Sequence, residues 1–331
     1  MEHRNLNNPH DLLARHFFPD PELMADFLRC YPKKPEDQQV IAQIDLERLV
    51  CKDPVTVNDR LVEGRGDLRF SAASKGSARE SNVYLLFEHQ STKDSDIRLR
   101  GLDHIVQDYK KFRALTKGRE KFPYPILIVL YHGAVPWEHV PEMDDLIEIV
   151  PGMKTGLLDY LLIFIDISSL AQDEFEGHPV LQVVLEMLQL AMKDTLAENL
   201  DRVMVRLKAV CNDPRIHSWL TAFARYVLAT TTLEREEIAK TFSRSMNKEE
   251  VYDMVMTTAE KLFTEGEAKG EVKGEIKAWR KAVLIALRSR FGNVTEEVEA
   301  AINRKNDPIV LESLAARVDS YKTLSDFARD L

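Results

Sequence analysis

Two short β-rich runs organise the first half of the chain. Gly66-Asp67-Leu68-Arg69-Phe70 and Val83-Tyr84-Leu85-Leu86-Phe87-Glu88-His89-Gln90 flank a Ser/Gly-rich interruption, residues 71–82, and predict adjacent antiparallel strands. Side chains alternate along a strand, so Leu86, Glu88 and Gln90 share one face while Phe87 and His89 take the other. Pairing of the two runs can bring Asp67 beside Glu88. Downstream, residues 95–116 place Leu99, Leu102, Ile105, Val106, Tyr109 and Phe112 at helical spacing. The continuous apolar run 125–131 predicts a strand covered on both faces, and 160–167, apolar apart from Asp166, predicts another buried strand. A helix leading into such a strand implies a crossover unit.

Upstream, Leu12, Leu13 and Phe17, then Leu23, Met24, Phe27 and Leu28, predict two short amphipathic helices broken at Phe18-Pro19-Asp20-Pro21. Residues 40–48 read as a short helix or approach segment and 49–57 as a first strand interrupted by Pro54. From His178 onwards the pattern is helical, in segments 180–192, 200–210, 216–228, 234–242 and 249–262, then 279–291, 296–302, 309–318 and 324–331. Between these sets lies a small repeat, Glu265-Gly266, Lys269-Gly270 and Lys273-Gly274-Glu275, expected to form a semi-helical hinge, a flexible linker being the commoner outcome for this composition. The expected organisation is an α/β core at 1–175, a helical extension at 176–263, the hinge at 264–278 and a C-terminal helical bundle at 279–331.

Composition narrows the class. The 331 residues are 44% hydrophobic, enough for packed cores in two ordinary domains. A net charge of −9 means that attraction to nucleic acid must come from a local basic face. Residues 95–121 offer one, with Arg98, Arg100, Lys110, Lys111 and Arg113 on the helix and Lys117, Arg119 and Lys121 beyond it. This face is either simply solvated or a tract for backbone phosphates. A second basic cluster, Lys277, Arg280, Lys281, Arg288 and Arg290, has solvation as its simplest reading. Cys30, Cys51 and Cys211 are far apart and odd in number, which argues against a disulfide framework or a cysteine metal site. The chain lacks a signal pattern and a run of the roughly 20 apolar residues that span a bilayer, so a cytoplasmic protein with no membrane partner is expected.

Asp67, Glu88 and Gln90 form the candidate chemistry. Two carboxylates and an amide oxygen at the end of a sheet suit Mg²⁺, which takes one or two carboxylates and binds substrate phosphate. Such a site fits metal-assisted phosphodiester hydrolysis. The simpler reading makes Asp67 a turn residue and Glu88-x-Gln90 a solvated face. Against it, Glu88 ends an apolar run that looks buried, where charge is costly. Asp11 reads as a helix cap. His132 either caps its strand or touches substrate, and Asp166 is either near the site or, on the simpler reading, a hydrogen-bonded structural acid.

At these residues the chain resembles a known family. Asp67 followed by Glu88-x-Gln90 is similar to the PD-(D/E)xK nuclease motif. The surroundings resemble the recombination-promoting nuclease family, which also carries the name putative transposase. The supporting stretches are His10-Asp11 with Phe17-Phe18, Glu22-Leu23 and Asp26-Phe27-Leu28; Phe87-Glu88-His89-Gln90-Ser91; Tyr131-His132-Gly133 with Pro136-Trp137; and the Gly repeat near Gly266. Gln90 stands where lysine is commoner in the superfamily. The resemblance implies a restriction-endonuclease-like mixed-sheet core and a Mg²⁺-dependent DNA endonuclease with little sequence preference, linked to recombination or mobile DNA. Asp67 and Glu88 are the expected metal ligands, with the backbone carbonyl of His89 as a candidate third. Gln90 is expected to orient the water or the scissile phosphate; a neutral amide cannot serve as general base, which leaves a metal-bound hydroxide or a phosphate oxygen. Asp11 gains the alternative role of an accessory acid facing the metal pocket. Arg98, Lys110, Lys111 and Arg113 are the expected DNA contacts, and a homo-oligomer is an open alternative. Two rival functions remain, a catalytically decayed DNA-binding or assembly protein and a hydrolase of another phosphodiester such as RNA.

Overall fold

A computed structural model describes residues 8–52, 68–79, 81–147 and 160–331. One compact unit runs to Ala259 and another spans Glu260–Leu331. The first is mixed α/β and is built on a five-stranded sheet: β1 (Ile44–Cys51), β2 (Leu68–Ser74), β3 (Val83–Gln90), β4 (Tyr124–Tyr131) and β5 (Leu161–Asp166), in that spatial order. β1, β2 and β3 form an antiparallel meander, while β3, β4 and β5 run parallel. Leu68 lies opposite Phe87, and Glu88 lies beside Val129. The expected β2–β3 hairpin is present, with β2 continuing to Ser74, and Asn82 donates to and accepts from Ser74 across its turn.

The helices before the sheet differ in detail from expectation. α1 (Pro9–Phe17) and α2 (Pro21–Cys30) each open with proline, whose fixed φ suits the first helical position, behind the caps Asn8 and Asp20. Asp11 is therefore not the cap; the Asn8 side chain accepts from its N–H. α3 (Pro35–Ala42) and β1 replace the single segment expected at 40–48, because Pro35 starts the helix early and the strand begins at Ile44.

α4 (Ile97–Leu115) is the crossover between β3 and β4. Its buried stripe is Ile97, Gly101 and Ile105 with Arg98, whereas Leu99 and Val106, expected inside, are exposed. The reason is Gly101. A Cβ there would sit 2.6 Å from both Leu127 Cδ2 and Tyr160 Oη, so α4 approaches β4 through the one position without a side chain. Leu86, Ile97, Leu127, Val129, Tyr131 and Trp137 form the core beneath α4.

On the sheet's other face, Phe18 and Phe27 pack on Phe87, and Phe17 stacks on Phe223 of α7 (Ile216–Thr230). α5 (Pro179–Met192) is buried almost all round; its Gln189 donates to the carbonyls of Ile167 and Leu170 just past β5, and its Glu186 pairs with Arg202 and Arg206. Arg202 belongs to α6 (Leu196–Met204), and α8 (Arg235–Met246) follows α7.

The expected hinge, residues 264–278, is regular helix within α9 (Glu250–Phe291). Flanking turns supply the nucleus, so each glycine costs about 1 kcal/mol without breaking the helix. In the second unit, α10 (Glu296–Arg304), α11 (Pro308–Arg317) and α12 (Leu324–Arg329) enclose Val283, Leu287, Ile302, Leu311 and Phe327. The basic residues there have local partners: Arg280 binds Lys305 and Asn306, Arg288 binds Glu299, and Arg290 binds Asp319 and Tyr321. No disulfide joins the cysteines, and among the described residues no helix is long and apolar enough to cross a membrane.

Candidate active site

Glu88 reaches the carboxyl end of β3 after five residues of strand, on the face covered by α4. It is only 1% exposed. A buried carboxylate needs paired charge and hydrogen bonds, and α4 supplies much of this. Arg100 Nη2 donates to Glu88 Oε2 at 2.8 Å, and His104 Nδ1 lies 3.5 Å from Oε1. Gln90, two residues along and hence on the same face, donates its amide to Oε2 at 3.3 Å. Arg100 also pairs with Asp94, just before α4. Farther down this face, Arg69 and Tyr84 both donate to Asp108 of α4. Burial alone would raise the Asp108 carboxyl, but the hydrogen bonds from Tyr84 and Arg69 lower it below the ordinary carboxylate range.

Asp67 lies outside the described residues. It is one peptide bond from Leu68, which stands opposite Phe87, the neighbour of Glu88. Among the described residues, no group of three or more His, Cys, Asp or Glu side chains is placed to hold a metal ion.

His89 points to the opposite face and enters a separate cluster. Its Nε2 lies 3.0 Å from Asp11 Oδ1, and Asp11 also accepts from Arg15. His89 Nδ1 is 3.4 Å from Nε2 of His132, which follows β4 and is fully buried. His10 sits against His132 and bonds Tyr226 of α7 at 2.8 Å. Thus Asp11 is brought to His89, not to Glu88. Burial raises the Asp11 carboxyl, yet the bonds from His89 and Arg15 more than offset this and lower it. Burial, with His89 beside it, drives His10 down to about 4; burial followed by His89 and His10 puts His132 well below the usual imidazole value.

Two further residues have structural positions. Asp166, ending β5, accepts from the N–H of Trp137 and of Ser168, which ties the loop after β4 to the strand beside it. Gly133 opens that loop, and a Cβ there would fall 2.0 Å from Tyr131 Oη. Of the basic residues, Arg98 is buried, donates to the carbonyl of Pro141 and pairs with Glu142. Arg113 folds over the Phe122 ring and donates to the carbonyls of Gly118 and Glu120. Lys110 and Lys111 are exposed, with Lys111 3.3 Å from Asp108.

Arg100 and His104 are the neighbours of Glu88 that strand alternation cannot reveal. Their spacing of four puts both on one side of α4, and that side meets Glu88 only once the crossover is folded.

A family model described as Putative transposase, YhgA-like matches residues 8–215. The chain is 25% identical over 272 residues to Recombination-promoting nuclease RpnD of Escherichia coli O157:H7, covering 80% of this chain and 98% of the relative. It is 25% identical over 310 residues to Recombination-promoting nuclease RpnA of Escherichia coli strain K12, covering 92% and 100%. A third relative, Inactive recombination-promoting nuclease-like protein RpnE of the same strain, is 25% identical over 320 residues, covering 93% and 98%. No solved structure matches the chain significantly.

Proposed function

The chain belongs to the YhgA-like putative transposase family, and from that premise we propose that it is a Mg²⁺-dependent DNA endonuclease with a restriction-endonuclease-like core. It cleaves phosphodiesters with little sequence preference, in recombination or in the movement of mobile DNA. The observation that carries the reading is Glu88, a carboxylate 1% exposed at the carboxyl end of a central strand. In open α/β sheets, ligands bind at that edge. The relatives named recombination-promoting nucleases, each covered almost end to end, support the same reading. So does the element order, a helix before an antiparallel meander and then a helix crossing to a parallel strand.

The donors suit Mg²⁺ in kind. Asp67, Glu88 and the carbonyl of His89 are hard oxygen ligands, and Mg²⁺ asks for few of them beside its waters. Bound there, the ion supplies Lewis-acid activation of water and neutralises charge on the phosphate. Gln90 orients the water or the phosphate through its amide and, being neutral, takes no proton. Lys110 and Lys111 contact backbone phosphates, whereas Arg98 and Arg113 hold the scaffold through their carbonyl partners. One relative is named inactive, which gives force to a second reading, a DNA-binding protein whose site has decayed.

Incubation of supercoiled plasmid with the purified protein in Mg²⁺ and in EDTA, beside Asp67→Ala and Glu88→Ala, separates the two. The nuclease reading predicts ion-dependent cutting lost in both variants. Binding without cutting in the wild type favours the second.

A further inference from the structure

The cation beside Glu88 comes from the neighbouring helix and not from β3. Gln90, which stands where lysine is commoner in the superfamily, is neutral, and it donates to Glu88 Oε2 alongside Arg100. Arg100 also holds Asp94. The Arg100 side chain is 39% exposed and the Glu88 side chain 1%. An approaching anion therefore meets the guanidinium before it reaches the carboxylate. A guanidinium fork matches two oxygens of a phosphate, which a lysine ammonium cannot do. Arg100 Nη2 and a divalent ion would compete for one carboxylate oxygen, and two cations at that distance repel.

Resting on the nuclease reading, we propose that Arg100 is the phosphate-binding catalytic residue of this site and takes the part that Gln90 cannot. Without ion and DNA it neutralises Glu88. In the working complex the guanidinium turns to the scissile phosphate and leaves Glu88 to the ion. One side chain thus keeps the buried carboxylate tolerable at rest and stabilises phosphate charge during cleavage. His104 stays beside Glu88 as the second α4 group at the carboxylate.

The test uses the full chain and two readouts, Ca²⁺ affinity by titration calorimetry and plasmid cleavage in Mg²⁺, for wild type, Arg100→Gln, Arg100→Lys and Glu88→Gln. Arg100→Gln removes the competitor, so Ca²⁺ binding tightens on the order of tenfold. Its cleavage falls about 10²–10³-fold, the loss typical of one donor to transition-state charge. Arg100→Lys keeps a charge but not the fork, so Ca²⁺ affinity stays near wild type while cleavage drops about tenfold. The proposal requires both changes in Arg100→Gln, and either one alone overturns it. If Arg100→Gln does not fold, Arg100→Lys decides, and undiminished cleavage by that variant overturns the proposal. Loss of ion binding and cleavage in Glu88→Gln, with Arg100→Gln unchanged, sinks Arg100 and leaves the nuclease standing. Wild-type behaviour in Glu88→Gln sinks both.

Discussion

Consecutive residues of β3 build two polar clusters that face opposite ways. Glu88 meets Arg100, Gln90 and His104 beneath α4, while His89 meets Asp11, His132 and, through it, His10 and Tyr226 beneath α1 and α7. The first cluster holds a buried carboxyl group paired with a partly exposed arginine. The second includes His10 and His132, whose pKa values burial depresses, and is joined by hydrogen bonds and ring contacts among β3, α1, α7 and the residue after β4. A paired charge that solvent can reach through one side chain is equipped for chemistry. A network of imidazoles around the Asp11–Arg15 pair is equipped to fix a strand end. On this account the His89 face holds β3 and β4 in place so that the Glu88 face can work.

The largest effect that sharpens this contrast belongs to the Glu88 face. Glu88→Ala should lower cleavage by about 10³-fold or more, the scale of several kcal/mol of metal-supplied stabilisation, with far-ultraviolet dichroism unchanged. The opposite face should answer in stability. His132→Ala removes a fully buried imidazole and should cost about 1–3 kcal/mol in denaturant unfolding. On the Glu88 side, Gly101→Val in α4 pushes a side chain against Leu127 and Tyr160, where a Cβ would already sit at 2.6 Å, and a comparable loss of about 1–3 kcal/mol is expected.

Acid should act on the His89 face as well. His10 faces His89, His132 and Tyr226, and its pKa falls from 6.5 to about 4 on folding. Between those values the unfolded chain takes up a proton that the folded chain refuses, so stability falls as pH drops from 6.5 towards 4. His10→Phe should flatten that slope in thermal melts at stepped pH. An unchanged slope would assign the effect elsewhere. The smallest effect is electrostatic: Lys110→Glu with Lys111→Glu should weaken DNA binding and lower the salt slope by about one for each phosphate that is no longer neutralised. A slope equal to wild type would remove α4 from the interface.

How much of this the sequence carries depends on how local each signal is. Period-two alternation put Glu88 and Gln90 on one face and His89 on the other, and the structure has both. The turn residues of 71–82 marked the β2–β3 hairpin. Helical spacing located α4 but misassigned Leu99 and Val106, because the packing face is set by Gly101 against Leu127 and Tyr160, which lie far along the chain. Arg100 and His104 carry no pattern of their own beyond a spacing of four. Asp11 and His89 are separated by 78 positions, and His89 and His132 by 43. The clue available for that cluster was that both central apolar runs close on a histidine, His89 and His132, a pairing that acquires meaning only with the parallel register of β3 and β4.

The most direct test of the division between the two faces is the cleavage rate per folded molecule, taken together with the melting temperature, for Glu88→Ala and His132→Ala under one set of conditions. The division predicts that Glu88→Ala stays folded and does not cut, while His132→Ala melts early yet cuts at a near-wild-type rate at a temperature where it remains folded. The reverse result, a cutting Glu88→Ala beside a folded and inactive His132→Ala, would move the chemistry to the other side of the sheet.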